Sequence, residues 1–367
     1  MPTLMESPRK SKTLRVAFIS TTVSGVAYYR LCSFAWGMRK WPRTETVVWP
    51  FSFDTTIQNP WQVDMLSMPE VRQQINMLCE RADVVVWQAL DFQHSLEFWE
   101  EMRARHQKPF LMEIDDYVAD VPLGNEAYDQ YRPGSARFRV CMEQMRQSDG
   151  VIVSTPYLAE MYKEQNENIH VVPNSIDFSQ WDGLSRKRGD RIRIGWIGGG
   201  THGPDLTAIA PIIEEILKKH KDVWFYCIHG VPQVYKEMKK VYWTRKWATI
   251  NLYPKFMASY KFDIGIAPLI DNNFNRGKSN LRWLEYSALK IPTIASPLPD
   301  FTRVIENNRN GCIANSDEEW FRHLDNLIED KELRLNIGEN AYATIRKDFN
   351  IAKTAKEYLW FLREVAQ

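Results

Sequence analysis

The sequence predicts an α/β protein of two doubly wound, Rossmann-like domains facing each other across a cleft. Three observations carry this. Short β-branched runs alternate with segments of 3.6-residue apolar periodicity along almost the whole chain. The runs are nearly continuously apolar, as parallel strands covered on both faces must be. The alternation breaks once, at the polar, turn-rich stretch "NSIDFSQWDGLSRKRGDR" (174–191), and then restarts. A chain of 367 residues also exceeds one comfortable core and suits two units.

Taken in order, residues 1–13 are a polar, basic leader expected to be disordered. The first domain, 14–173, holds "LRVAFIS" (14–20), "ETVVWPF" (45–51), "DVVVWQ" (83–88), "PFLMEID" (109–115), "GVIVS" (150–154) and "IHVVP" (169–173) as strands. After the linker at 174–191, the second domain, 192–350, holds "IRIGWIG" (192–198), "VWFYCIH" (223–229), "TINLYP" (249–254), "FDIGIAP" (262–268), "IPTIAS" (291–296) and "GCIAN" (311–315). A last helix, 351–367, is expected to return toward the first domain. Two such sheets set the ends of their strands on either side of a cleft, where ligands of open α/β sheets bind.

Composition narrows the class. Hydrophobic residues make up 44% and charged residues 25%, as in ordinary globular proteins. No apolar run approaches the roughly 18–20 residues of a membrane span, and the leader lacks the apolar core of a signal peptide. Five scattered cysteines without a Cys-x-x-Cys pair argue against a zinc site or disulfide framework and suit a reducing cytoplasm. Charge is uneven. Residues 1–180 carry 18 Lys and Arg against 23 Asp and Glu, and the remainder 29 against 23. A basic second half suits a phosphate-bearing ligand and suits a solvated surface equally well.

Four stretches carry candidate chemistry. "GWIGGGTHGPDL" ends a strand, passes through Gly198, Gly199, Gly200, Thr201 and His202, and opens a helix near Pro204. Glycines let backbone N–H groups approach an anion, and the helix terminus adds partial positive charge; a plain tight turn explains the same glycines. In "FNRGKSNLRWLEYSALK" a helix is expected to start near Lys278–Ser279, leaving amides open at Lys278 and placing Glu285 two turns on, near the same face. A lysine there balances phosphate charge and a carboxylate accepts ribose hydroxyls; a capped helix with an exposed charge pair is the alternative. "STTVSGVAYYRL" (20–31) brings Gly25, Tyr28, Tyr29 and Arg30 to the first helix entrance, with at most one tyrosine expected in the core. "MEIDDYVADVP" ends a strand in Asp115–Asp116, which can bind sugar hydroxyls, act as base or cap the next loop. No metal site is expected there.

These residues resemble a family. "SDGVIVSTPYLAEMY…IHVVPNSID", "GWIGGGTHGPDL" and above all "YKFDIGIAPLIDNNFNRGKSNLRWLEYSALKIPTIAS" resemble the GT-B fold glycosyltransferases of the retaining, glycogen-synthase-like type, over nearly the whole chain. The resemblance implies transfer of a hexose or pentose from a nucleotide-diphosphate sugar, with UDP as the leading nucleotide, with retention and without a further cofactor. It implies that Glu285 binds the ribose. Gly25, Gly198, Gly199, Gly200, Thr201, His202, Asn275, Lys278 and Ser279 would hold the rest of the nucleotide sugar, with the base near Tyr253 and Pro254. Tyr28, Tyr29, Arg30, Asp115 and Asp116 would face the acceptor. Catalytic work would fall to Lys278, Glu285, Asp115 and Asp116. Many relatives carry a second glutamate eight residues before the ribose-binding one; here that position is Gly277, and Phe274, Asn275, Lys278 and Ser279 match a subgroup with Phe-Asn-x-x-Lys-Ser.

The leader and the "SGVAYYRL" loop resemble phage-encoded members of the family, some of which glycosylate hydroxymethylated bases in DNA. An early basic cluster (Arg9, Lys10, Lys12, Arg15, Arg30, Arg39, Lys40, Arg43) and a second basic, aromatic stretch at 234–247 suit such a partner. A lipid surface or a solvated face suits them too. The rival readings are an envelope-polysaccharide or lipid-linked glycan transferase and a degenerate binding module.

Overall fold

A computed structural model describes residues 12–22, 24–50, 65–184 and 191–367. Among them, two six-stranded sheets are each entirely parallel. The first comprises β1 (Leu14–Ile19), β2 (Thr44–Trp49), β3 (Val84–Gln88), β4 (Phe110–Ile114), β5 (Gly150–Val153) and β6 (Ile169–Val171), in the order β2-β1-β3-β4-β5-β6. The second comprises β7 (Ile192–Gly198), β8 (Val223–His229), β9 (Val241–Thr244), β10 (Ile264–Ala267), β11 (Thr293–Ala295) and β12 (Cys312–Ile313), in the order β12-β11-β10-β7-β8-β9. Strands β3, β4, β5, β10 and β11 are wholly buried, which is why they read as nearly unbroken apolar runs.

One expected strand is corrected. Residues 249–254 are a 3₁₀ turn (Ile250–Leu252) leading into the helix Tyr253–Ser259, with Pro254 in its first turn. Proline fits there because its missing N–H would have had no partner. The strand at this place in the topology is β9, eight residues earlier, inside the stretch read as a basic patch.

The chain crosses between the sheets twice, side by side. Ile176 N–H donates to Phe349 O at 2.8 Å, and Ile351 N–H donates to Ile176 O at 3.0 Å. Residues 185–190 of the expected linker, and most of the expected leader, lie outside the described residues. Past the second crossing, the helix Ile351–Val365 packs on the helix Ser33–Met38 of the first domain. The approach is close enough that a Cβ on Gly37 would stand 2.9 Å from that of Ala355. Phe18, Phe34, Tyr358 and Leu359 close this face of the first sheet into one core. No helix among the described residues is long and apolar enough to cross a membrane.

Candidate functional site

The segments that follow β1 and β4 face those that follow β7 and β10 across a cleft, where Tyr29 meets Glu285, Asp116 meets Lys278 and Asn125 meets Thr201. Glu285 sits inside the helix Leu281–Ala288, buried to 3% exposure. Its Oε1 accepts from Tyr29 Oη at 2.9 Å, and its Oε2 from Tyr253 Oη at 3.2 Å and Arg282 Nη1 at 3.1 Å. Burial raises the Glu285 pKa, against the opposing pull of Arg282 and the two phenols. Three donors around one carboxylate fix its direction while leaving lone-pair capacity for further donors.

Lys278 lies outside that helix, not at its mouth as expected. A short helix, Asn273–Arg276, precedes it, and the longer helix is entered through Asn280. The Lys278 amide is already bonded to Asn275 O at 3.0 Å, so it offers no open N–H. Its ammonium instead crosses the cleft to Asp116 Oδ1 at 2.7 Å and lies 4.3 Å from the centre of the Phe274 ring. Ser279 Oγ accepts from Asn174 Nδ2 at 2.8 Å. Asn275 is a fastener within its own loop, donating to Asp205 Oδ1 at 3.0 Å and to Ile270 O at 2.9 Å.

The glycine loop is shaped by close approach. A Cβ on Gly198 would stand 2.7 Å from the Trp196 ring and 2.9 Å from the Arg282 guanidinium, and one on Gly200 would stand 2.6 Å from the Glu126 carboxylate. Gly198 O accepts from Gly230 N–H at 2.8 Å, which ties this loop to the end of β8. Asn125 reaches the Thr201 carbonyl at 3.5 Å from the other domain. His202 Nδ1 lies 3.0 Å from Asp205 Oδ2, and burial lowers its pKa despite that carboxylate. Gly25 opens the first helix with no atom within 4 Å of a would-be Cβ.

The first-domain wall differs from expectation in two ways. Both tyrosines are buried, because residues Tyr28–Cys32 form a π turn within the helix. Their rings meet edge-on at 5.2 Å, and Tyr29 alone reaches Glu285. Arg30 is 1% exposed and does not line the cleft. Its Nε donates to the fully buried Glu113 at 2.7 Å, and its Nη1 to Val172 O and Asn174 Oδ1. Asp115 follows β4, and its carboxyl is pushed up to about 8 by burial first and then by Asp116 and Glu113.

Gly277 now has a physical account. A Cβ there would stand 2.9 Å from Leu158 Cδ2 and 3.1 Å from Tyr117 Cβ, so first-domain side chains fill the space a glutamate would need.

The early basic cluster is partly dispersed among the described residues, where Lys40 and Arg43 stay exposed. Arg9 and Lys10 lie outside the described residues. Lys12 pairs with Asp83 at 3.0 Å, Arg15 with Glu45 at 3.2 Å, and Arg39 is turned onto Thr46 O. With Arg30 buried, neighbours in sequence are dispersed by the strands between them.

Asp205, Arg282, His229 and Trp247 escaped the sequence reading of the site. Asp205, 5% exposed in the first turn of the helix Gly203–Lys219, joins His202, Asn275 and Ile270 N–H. Arg282 lies one helical turn before Glu285, a spacing that signals an ion pair. His229, Trp247 and Tyr253 form an aromatic shelf, with ring centres 4.5 and 5.4 Å apart, beside Glu285. A separate cavity of about 1090 Å³, lined by Arg103, Lys108, Asp149, His170 and Phe361, opens at the opposite edge of the first sheet, where strands begin.

Comparison with known proteins finds the same fold. Residues 210–359 match a family model described as glycosyl transferase-like. Among curated protein sequences none matches. Solved structures that superpose include Anabaena HepE in complex with UDP-glucose (13% identity, TM-score 0.69, 96% of this chain and 100% of that one). Sucrose-phosphate synthase from Thermosynechococcus elongatus superposes with TM-score 0.67 (11% identity, 96% and 99%). The catalytic domain of Arabidopsis thaliana starch synthase IV, bound to ADP and acarbose, does so with TM-score 0.65 (12% identity, 97% and 100%). At such identities the likeness shows the fold: two doubly wound domains in the GT-B arrangement.

Proposed function

We propose that the protein is a glycosyltransferase that moves a sugar from a nucleotide-diphosphate sugar, UDP-linked in the first instance, to an acceptor hydroxyl with retention. The observation that carries this reading is the convergence of the Glu285 carboxylate, the Lys278 ammonium and the Gly198–Gly200 loop at strand ends of the second sheet. They lie opposite Asp115 and Asp116 of the first. The match of residues 210–359 to a glycosyl transferase-like family and the UDP-glucose complex of HepE support it.

Each residue has a task that its surroundings suit. Glu285, oriented by Arg282 and Tyr253, accepts the ribose hydroxyls. Lys278, released from Asp116, meets the diphosphate, whose developing charge on departure is where stabilisation gains most rate. The His229–Trp247–Tyr253 shelf flanks the base. Asp115, held largely neutral below about pH 8, places a carboxyl near the diphosphate without adding a repelling charge.

The test is a calorimetric screen of nucleoside diphosphates and their sugars, followed by an assay of nucleotide release. Binding of a nucleoside diphosphate, and slow release of it from its sugar without acceptor, is the expected result. A protein that binds no nucleotide, or binds one and never releases sugar with any glycan, lipid-linked or DNA acceptor, is a binding module instead.

A further inference from the structure

We propose that the outer edge of the second sheet is a docking surface for an anionic lipid bilayer. Eleven large hydrophobic side chains are exposed among the described residues, and five of them fall between residues 234 and 252: Val234, Tyr242, Trp243, Trp247 and Leu252, each 38–55% exposed. The same stretch, extended to 231–260, carries six Lys and Arg against the single acid Glu237. β9 is the edge strand, paired only with β8, so Tyr242 and Trp243 stand on its two faces. Lys239, Arg245, Lys246 and Lys255 are exposed around them.

Lysines alone would be ordinary protection of a sheet edge against pairing with another chain. They do not explain the exposed indoles, phenol and leucine. Trp and Tyr settle at the headgroup level of a bilayer, and nearby Lys and Arg are drawn to its anionic lipids. This edge supplies both.

Two other partners fit less well. Single-stranded nucleic acid stacks its bases on open ring faces, whereas the rings of Tyr242 and Trp247 already lie against other rings. Trp243 lies under Lys236 (6.0 Å), Trp247 between His229 and Tyr253, and Tyr242 against Tyr226 (5.1 Å) and Tyr260 (6.2 Å). A second copy docking by two-fold symmetry would set this cationic patch against itself. Because Trp247 leans from this edge onto Tyr253, docking would hold the nucleotide wall of the cleft against the bilayer.

Flotation with vesicles of phosphatidylcholine and phosphatidylglycerol, against phosphatidylcholine alone, decides the matter without any nucleotide or acceptor. Failure here therefore leaves the transfer reading standing, and the reverse also holds. Binding only to the mixed vesicles is expected, weakening as salt rises. Lys239→Glu with Lys246→Glu should weaken it at least about tenfold. Trp243→Ala with Leu252→Ser should weaken it severalfold and abolish what survives high salt. The two variants touch different exposed residues, so either suffices if the other misfolds. No flotation with mixed vesicles overturns the proposal, as does equal flotation of wild type and both variants. Binding of a single-stranded oligonucleotide, or a concentration-dependent dimer lost in the same variants, with no vesicle binding, also overturns it.

Discussion

The Tyr29 hydroxyl, at the first helix of one domain, donates a 2.9 Å hydrogen bond to Glu285 on the other. On the ribose-binding reading proposed above, it competes with an incoming hydroxyl for the same carboxylate. Tyr29→Phe should therefore tighten nucleotide binding, by up to about tenfold if the exchanged bond lies in the 1.5 kcal/mol range of charge-assisted contacts. Tyr253→Phe, which removes an orienting group on the nucleotide side, should weaken it. Titration calorimetry checks both, and opposite signs are the result that matters. Glu285→Gln should weaken binding of the ribonucleotide far more than of its 2′-deoxy analogue.

Lys278 and Asp116 make a second cross-cleft pair, with side chains 20% and 38% exposed. Lys278→Ala should cost about 1.5–3 kcal/mol in binding a nucleoside diphosphate and almost nothing for the nucleoside. Equal losses for both ligands would mean that the lysine only braces the loop. Asp116→Asn removes the competitor for Lys278. Because the pair is partly exposed, its gain should be under about 1 kcal/mol.

The strands were legible because burial on both faces forces an apolar run, and 11 of the 12 expected runs contain one. "TINLYP" misled because its β-branched residues read as strand, while the informative residue was Pro254, suited to a helix start. The glycine loop, Lys278 and Glu285 were legible as candidates because their chemistry is local. Tyr29 over Glu285 and Lys278 over Asp116 were not, since residues 256 and 162 positions apart meet only once both sheets exist. The family resemblance sets Arg30 facing the acceptor; its partner Glu113 lies 83 positions away on β4, so the pair exists only once the sheet is formed.

A pH dependence follows from Asp115. Its ordinary value is 3.8 and its folded value about 8, so the folded state favours the neutral form. That contribution is complete below about pH 4 and is lost as pH rises through about 8. Wild type should thus lose stability relative to Asp115→Asn across this window and hold a constant difference above it. Urea midpoints measured from pH 4 to 9 would show this. Nucleoside diphosphate affinity should fall through the same upper limb in wild type and stay flat in Asp115→Asn.

Arg30 and Glu113 form an ion pair buried on both sides. Arg30→Ala should destabilise the protein by about 3–5 kcal/mol, because it strands a charge away from water. Arg30→Met combined with Glu113→Gln should recover much of that loss in denaturant midpoint. A double variant no better than Arg30→Ala would show that the cost lies in Arg30's bonds to Val172 and Asn174 instead.

The helix Ile351–Val365 follows the second domain in the chain yet completes the first. On the ribosome, the first sheet therefore emerges long before the surface that seals it, and the apolar groups of Phe34, Ala35 and Met38 wait uncovered while the whole second sheet is made. Synthesis order and folding order are thus mismatched in this topology. The first half lacks a surface it needs when made alone, and a nascent chain halted after residue 350 should be a client of the cell's holding chaperones.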